Sequence, residues 1–256
     1  MRRGPRSLVV VLVPPAVLLA LGLLLAGPIA QDPAYHRFAD ARTLFGIANF
    51  ADTMSNLGFL AVGLWGLKRL LGDPGRRPAF TEPGERAAWL AFFTGIALTG
   101  LGSAWYHLAP DDARLVWDRL PMTLGFASLF VIVLGERCDP QLTARGLVLT
   151  VLLAAASVGW WVWSGDLRPY VFVQAYCVIA LALLVGLFES RYTRHRDYWA
   201  LIGAYAAAKL AESGDAAIFA ASGLVSGHTL KHLLATGGVA WIAVMLARRD
   251  AIARGG

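Results

Sequence analysis

Eight long apolar runs constrain the fold of this chain more than any other feature of its sequence. A transmembrane helix needs about 20 predominantly apolar residues, and the runs reach or approach this length, although the fourth is short. They cover residues 8–29, 50–71, 87–108, 120–135, 146–163, 170–188, 198–221 and 228–247. The sequence therefore predicts an all-α integral membrane protein, a seven-helix bundle with one additional N-terminal transmembrane helix.

The composition agrees with a membrane protein, because 57% of the residues are hydrophobic and only 16% are charged. Soluble domains carry about 25% charged residues. The net charge of +6 would also suit nucleic acid, but the positive-inside rule explains it more simply. We therefore expect the lipid bilayer and a membrane lipid as partners, and no nucleic acid. Cys138 and Cys177 have no C-x-x-C spacing and predict neither a disulfide framework nor a thiolate metal site.

The first run predicts a domain boundary near residue 30. It follows the basic residues of Met-Arg-Arg-Gly-Pro-Arg, so a signal peptide is the alternative to a retained anchor helix. The apolar region of a signal peptide is typically about 7–15 residues long, and this run is longer. The sequence Pro28-Ile29-Ala30 is also a poor cleavage site. We expect a membrane anchor helix at residues 1–30 and a single seven-transmembrane domain at residues 31–256.

The positions of Lys and Arg predict the orientation of the bundle. If the N-terminus is cytoplasmic and the helices alternate, sixteen of the 23 Lys and Arg residues fall on the cytoplasmic side and five on the other. The sixteen are Arg2, Arg3, Arg6, Lys68, Arg69, Arg76, Arg77, Arg86, Arg137, Arg145, Arg191, Arg194, Arg196, Arg248, Arg249 and Arg254. By the positive-inside rule both termini are then cytoplasmic.

Three histidines lie at helix ends that this orientation places on the extracytoplasmic side. His107 closes the third run, and His228 and His232 open the last one, one helical turn apart. A histidine at a wet helix end can be idle, but three at one depth form a candidate site, since ionisable groups within membrane segments are usually functional. Three neutral imidazoles with a fourth position left to water are typical of a catalytic zinc site.

Asp118 and Ser103 lie close to His107 in sequence, and each has a structural and a functional interpretation. Asp118 could be the N-cap of the next helix, with Pro121 in its first turn, or a carboxylate that takes a proton from metal-activated water. Ser103 lies one turn before His107. It could ease helix packing beside Gly100 and Gly102, or its hydroxyl could donate to a developing oxyanion.

Four further charged residues lie within apolar runs. Lys209, Glu212 and Asp215 are spaced three residues apart and predict an intrahelical charge pair, with a contact to a polar part of the substrate as the alternative. Lys231 lies between the two last histidines and is expected on a different face. No role is assigned to His36 and His195, which lie in loops.

These residues resemble the signature of a known family. The spacing Ser103-x-x-x-His107, then Asp118, then His228-x-x-x-His232 is similar to that of the alkaline ceramidases and of the wider CREST superfamily of seven-helix membrane hydrolases. The stretch Asn49-Phe50-Ala51-Asp52-Thr53-Met54-Ser55-Asn56 is similar to the start of the family's first core helix. The resemblance covers about residues 31–256.

The resemblance implies a zinc-dependent hydrolase that cleaves the N-acyl amide bond of ceramide-like lipids to a sphingoid base and a free fatty acid. By position, it implies that His107, His228 and His232 hold the zinc, that Asp118 acts on the water and that Ser103 assists near the carbonyl oxygen. The active site would then lie near the extracytoplasmic face.

The resemblance also raises a calcium site, because the family binds calcium through acidic residues around the start of its first core helix. This chain departs from that pattern. Asn49 stands where the family has Glu, and Tyr35 and Phe38 stand where it has upstream acids. The remaining candidate oxygen ligands are Asp32, Asp40, Asn49 and Asp52.

Two other functions stay open from the sequence. The first is an ester-cleaving lipid hydrolase of the same superfamily. The second is a non-catalytic receptor-like or transporter-like seven-helix protein in which the histidines bind a structural metal. An open metal position favours a hydrolase, and a closed one favours the structural role.

Overall fold

The structure is a computed structural model, and it describes residues 5–72 and 79–252, with side chains from Ser7 onward. Ten α-helices lie within these residues, and no β-strand does. They are α1 Pro5–Ala26, α2 Phe50–Ser55, α3 Leu57–Leu71, α4 Pro83–Leu108, α5 Asp112–Arg137, α6 Gln141–Ser164, α7 Arg168–Leu187, α8 Tyr198–Ser213, α9 Asp215–Ser222 and α10 Gly227–Arg248. Six of them, α1, α4, α5, α6, α7 and α10, are long and apolar enough to cross a membrane. The predicted helical membrane bundle is confirmed.

Two of the eight predicted runs are interrupted helices. The second run divides into α2 and α3 at Asn56, whose side-chain amide donates to the Asp52 carbonyl at 2.7 Å. That carbonyl is the acceptor that an unbroken helix would offer to the Asn56 backbone N–H, so the side chain competes with the helical ladder. The seventh run divides into α8 and α9 at Gly214, and glycine is a weak helix former.

The fourth predicted span is longer than its apolar run, because α5 begins at Asp112. Its N-cap is Asp111, whose Oδ1 accepts from the Arg114 backbone N–H at 2.7 Å. The interpretation of Asp118 as N-cap is therefore wrong, and Pro121 lies inside the helix rather than in its first turn. The first two turns of α5 carry several charged residues, so a hydropathy pattern does not include these turns in the apolar run.

Small residues bring α4 close to its two neighbours, as the sequence predicted for Gly100 and Gly102. A Cβ atom added to Gly100 would lie 2.6 Å from the Leu60 backbone nitrogen of α3. One added to Gly102 would collide with the Trp117 carbonyl of α5. Gly95 approaches the Gly125 backbone in the same way. Such backbone contact is the usual way in which membrane helices associate closely.

A buried charged cluster closes the end of the bundle where α4 begins and where α5 and α10 end. Arg249 forms an ion pair with Glu136 and lies 3.8 Å from Glu85. Tyr198 donates to Glu136 at 2.9 Å, and Tyr192 donates to Glu85. Burial and the Glu85 carboxylate raise the pKa of Tyr192, which lies in the loop before α8, to about 12. We call these five residues the Arg249 cluster.

Helix α1 lies against α7. Leu12 is buried in the main hydrophobic core, and its carbonyl accepts from the Tyr176 hydroxyl at 3.3 Å. Most of the other large side chains of α1 are exposed, which suits a helix surrounded by lipid. The prediction of a retained anchor rather than a signal peptide stays a prediction. Among the basic residues used to predict orientation, Arg2, Arg3, the side chain of Arg6, Arg76, Arg77 and Arg254 lie outside the described part of the chain.

Candidate metal centre

Three histidine rings meet at one end of the bundle. His107 is in the last turn of α4, and His228 and His232 are in the first two turns of α10. The three pairs of ring centroids are 4.9–5.0 Å apart. Each residue has a candidate ligand atom within 4.8 Å of the others. The predicted cluster is therefore formed by helices more than 100 residues apart in sequence.

The histidine cluster has the chemistry of a metal site. The three residues are 1%, 5% and 4% exposed, and His107 Nδ1 is buried without a hydrogen-bond partner. A buried polar atom without a partner is costly, and a bound cation would satisfy it. Three imidazole nitrogens suit zinc. Among residues 5–72 and 79–252, this is the sole group of three or more His, Cys, Asp or Glu residues with such convergence.

Contacts from the start of α2 hold the ring of His232 and the backbone of His107. Ser55 Oγ lies 2.8 Å from His232 Nδ1 and donates to the Asp52 carbonyl at 2.9 Å. Asn49, the N-cap of α2, has left-handed backbone dihedral angles, and its Nδ2 donates to the His107 backbone carbonyl at 2.8 Å. A hydrogen bond to the second ring nitrogen is what orients a metal-binding histidine. Ser55 has no role predicted from the sequence, although it lies in the stretch that is similar to the start of the family's first core helix.

Asp118 and Ser103 line a cavity that also reaches His232. Asp118 is in the second turn of α5, and its carboxylate lies near the Ser103 hydroxyl. Ser103 itself is buried. The two residues that the sequence singled out therefore lie together, beside the histidines. We call this space the polar cavity.

The charged residues of α8 and α10 also lie in the polar cavity. Glu212 forms ion pairs with Lys209 and, at 2.9 Å, with Lys231. The predicted pair within α8 is confirmed, but Asp215 is not part of it. The expectation that Lys231 lies on a different face is wrong, because its Nζ is 2.9 Å from His228 Nε2. Residues three apart on a helix are neighbours, and Lys231 follows His228 by three.

Residues 27–49 cover the histidine end of the bundle. The Phe38 ring lies 4.6 Å from the rings of both His107 and His228. Asp215 ties this segment to α10, since its carboxylate accepts from the backbone N–H groups of Ala39 and His228. His36, which had no assigned role, contacts the Tyr106 hydroxyl at 3.0 Å.

A second tie holds the start of the same segment. Asp166, in the loop between α6 and α7, accepts from the Ile29 backbone N–H at 3.1 Å and pairs with Arg168 at 2.7 Å. The Arg168 guanidinium and these N–H donors lower the pKa of Asp166 to about 2. The carboxylate is therefore ionised at every physiological pH.

The four candidate calcium ligands have separate partners within the protein. Asp32 caps a short 3₁₀ helix, and Asp40 pairs with Arg42 at 2.7 Å. Hydrogen bonds from Arg42 lower the pKa of Asp40. Asn49 binds the His107 carbonyl, and Asp52 accepts from the side chains of Thr229 and Ser226. The calcium site stays a prediction.

An apolar cavity adjoins the polar cavity. The two share wall residues, among them Phe59, Thr99 and Met122, and the apolar cavity runs on toward Phe130, Cys177 and Leu181. An amphiphilic molecule could therefore place a polar part beside the histidines and an alkyl chain in the bundle.

The sequence was compared with protein-family models and with curated proteins. The family model described as Ceramidase matches residues 43–242, which include the three histidines, Ser103 and Asp118. No curated protein matches the chain.

Proposed function

The chain belongs to the Ceramidase family, and we propose that it is a zinc-dependent membrane hydrolase that cleaves the N-acyl amide bond of ceramide-like lipids. The family supports ceramide hydrolysis in general. The observation that carries the zinc-dependent form is the convergence of three buried histidines beside the cavity that holds Asp118 and Ser103. The products would be a sphingoid base and a free fatty acid.

His107, His228 and His232 would hold the metal. A zinc ion in such a site supplies a water molecule of lowered pKa and polarises a carbonyl. The orphaned Nδ1 of His107 and the fixed ring of His232 support this assignment. Phe38 packs against the rings of His107 and His228.

Asp118 would move the proton. As the water oxygen attacks the amide carbonyl, the carboxylate accepts a proton, and it returns this proton to the nitrogen as the carbon–nitrogen bond breaks. Ser103 lines the same cavity beside this carboxylate. When substrate enters, the Ser103 hydroxyl would donate to the carbonyl oxygen, which gains negative charge as the bond forms.

The apolar cavity would receive an alkyl chain of the lipid. Its wall is apolar and continuous with the polar cavity, so an amide bond near His232 leaves a chain free to extend toward Leu181. We place the site at the extracytoplasmic face. The described basic residues of the predicted cytoplasmic set support this, since Arg137, Arg248 and Arg249 terminate helices at the end opposite the histidines.

The test is incubation of the purified protein with paired N-acyl and O-acyl lipids and identification of the products by mass. Release of fatty acid from the N-acyl lipids is the expected result. Release from the O-acyl lipids alone would assign an esterase. No release from either, with zinc bound in a closed site, would support a non-catalytic protein.

A further inference from the structure

Arg119 is a buried cation in the polar cavity that forms no ion pair among the described residues. Its side chain lines the cavity and is 6% exposed. None of the ion pairs formed among residues 5–72 and 79–252 includes it. Nη2 donates to Gln31 Oε1 at 2.6 Å, but Nη1 is buried without any partner. One donor of the guanidinium is therefore left without an acceptor.

Three aromatic rings hold the guanidinium in place. The Arg119 Cζ atom lies 4.4 Å from the centroid of Trp161, 5.0 Å from that of Tyr170 and 5.6 Å from that of Tyr35. These distances are within the range of cation–π attraction. The rings compensate part of the cost of a buried charge, and they fix the plane of the fork. A fixed guanidinium fork fits the oxygens of a carboxylate or phosphate.

The charged side chains that line the cavity do not balance. Lys209, Lys231 and Arg119 are cations, whereas Glu212 and Asp118 are the carboxylates, and both lysines pair with Glu212. The described residues that line the cavity therefore carry an excess positive charge, and Arg119 is the cation among them that forms no ion pair. An anionic ligand group would restore the balance and would satisfy Nη1.

The place of Arg119 decides which part of a lipid carries the anion. Arg119 lines the polar cavity with Asp118 and His232, but it does not line the apolar cavity. If the acyl chain occupies the apolar cavity, the group that reaches Arg119 belongs to the other side of the amide bond, the amine part of the molecule.

We propose that the chain acts on N-acyl lipids whose amine part carries an oxyanion, a phosphate, sulfonate or carboxylate, and that Arg119 binds this group. The proposal rests on the proposed amidase function and names its substrate class. Arg119 would be a specificity residue rather than a catalytic one. Neutral ceramides would then be poorer substrates than lipids with an acidic head group.

The first test measures binding without turnover. Full-length protein in neutral detergent is titrated with hexadecyl phosphate, hexadecanesulfonate, palmitate and hexadecanol, which contain no amide, and Trp fluorescence is followed. A charge-assisted hydrogen bond predicts anions that bind about tenfold to a hundredfold more tightly than the alcohol. Arg119→Gln should abolish this preference for the anions over the alcohol, and Arg119→Lys should keep part of it. Arg114→Gln is the matched control, because Arg114 is on the same helix outside the cavity.

The second test measures hydrolysis of a ceramide, its 1-phosphate and N-palmitoylglycine. The ratio of kcat/KM for the acidic lipids to that for the ceramide should exceed about ten in the wild type and fall in Arg119→Gln. Equal wild-type binding of hexadecanol and the anions would overturn the head-group proposal, even if ceramide is hydrolysed. Arg119-dependent anion binding without hydrolysis of any amide would instead overturn the proposed amidase. Arg119 could instead strengthen the binding of palmitate alone while the kcat/KM for N-palmitoylglycine does not exceed that for the ceramide. In that case the site holds the fatty-acid product, and the proposal is wrong.

Discussion

Ser55 Oγ lies 2.8 Å from Nδ1 of His232, so the first core helix orients a histidine of the last one across 177 positions of sequence. Ser55 also donates to the Asp52 carbonyl, which accepts from the Asn56 side chain rather than from the Asn56 backbone N–H. The break between α2 and α3 therefore leaves this carbonyl to side-chain donors, and one of them, the Ser55 hydroxyl, lies beside His232.

The first prediction concerns metal content. His107→Ala, His228→Ala and His232→Ala should each abolish zinc binding or weaken it greatly, because each removes one of three ligands. Ser55→Ala should weaken it about tenfold to a hundredfold, as is usual for a partner that orients a ligand. Metal analysis of the purified proteins is the measurement. His195→Ala, on a histidine outside the cluster, should bind zinc like the wild type, and near-stoichiometric zinc in all three ligand variants would refute the assignment.

The second prediction separates the chemistry of Asp118 from its structural role. Asp118→Asn should reduce amide hydrolysis at least about a hundredfold, since acid–base assistance contributes about 10²–10⁴-fold. Zinc content and thermal stability should stay near those of the wild type, because Asp111, not Asp118, caps α5. Asp111→Ala is the converse control and should cost about 1 kcal/mol of stability with little loss of turnover. An Asp118→Asn protein that keeps most of its activity would require another base.

The third prediction concerns orientation in the membrane. In a background with Cys138 and Cys177 replaced by alanine, Leu224→Cys should react with a membrane-impermeant thiol reagent in intact cells. Arg196→Cys should react only after the cells are opened. Both positions are exposed and lie in segments at opposite ends of the bundle. The reverse pattern of labelling would place the metal centre on the cytoplasmic side.

The fourth prediction concerns the Arg249 cluster. Arg249→Ala leaves Glu136 buried without its cation, and removal of one partner of a buried ion pair costs about 3–5 kcal/mol. Unfolding of the protein in mixed micelles should show a loss of this size. The neighbouring Arg248, which is exposed, provides the control, since Arg248→Ala should change stability by less than about 0.5 kcal/mol. Equal effects of the two substitutions would show that the ion pair contributes nothing.

The fifth prediction concerns pH. The folded-state pKa of Asp166 is about 2, below the value of about 3.9 in an unfolded chain. Its contribution to stability is therefore fully present above about pH 4 and is lost as the pH falls toward 2. The Tm difference between the wild type and Asp166→Asn should be constant from pH 5 to 8 and should shrink below pH 4. A difference that persists at pH 2 would mean that ionisation of Asp166 does not matter.

The sequence by itself determined the class of fold and the members of the histidine cluster. Apolar runs of about 20 residues favour helices, because a helix satisfies each of its backbone groups within one segment in lipid. Within a run, the 3.6-residue period of the helix fixes which residues share a face. The two ends of the run fix the depth of these residues in the membrane. These local rules are why His107, His228 and His232 were predicted at one end of the bundle before any packing was known, and why Ser103 was placed one turn from His107.

Only the tertiary structure decided where the helices begin and which side chains contact one another at the histidine end of the bundle. The start of α5 at Asp112 depends on a cap and on charged turns that hydropathy does not register. The contact of Ser55 with His232 and the aromatic box around Arg119 join residues that are 42 to 177 positions apart. Such contacts depend on the angles and distances at which helices pack, and these follow from the fit of all the side chains together. A local sequence pattern places a charge such as Arg119 at a depth in the membrane, but only packing reveals that it forms no ion pair among the described residues.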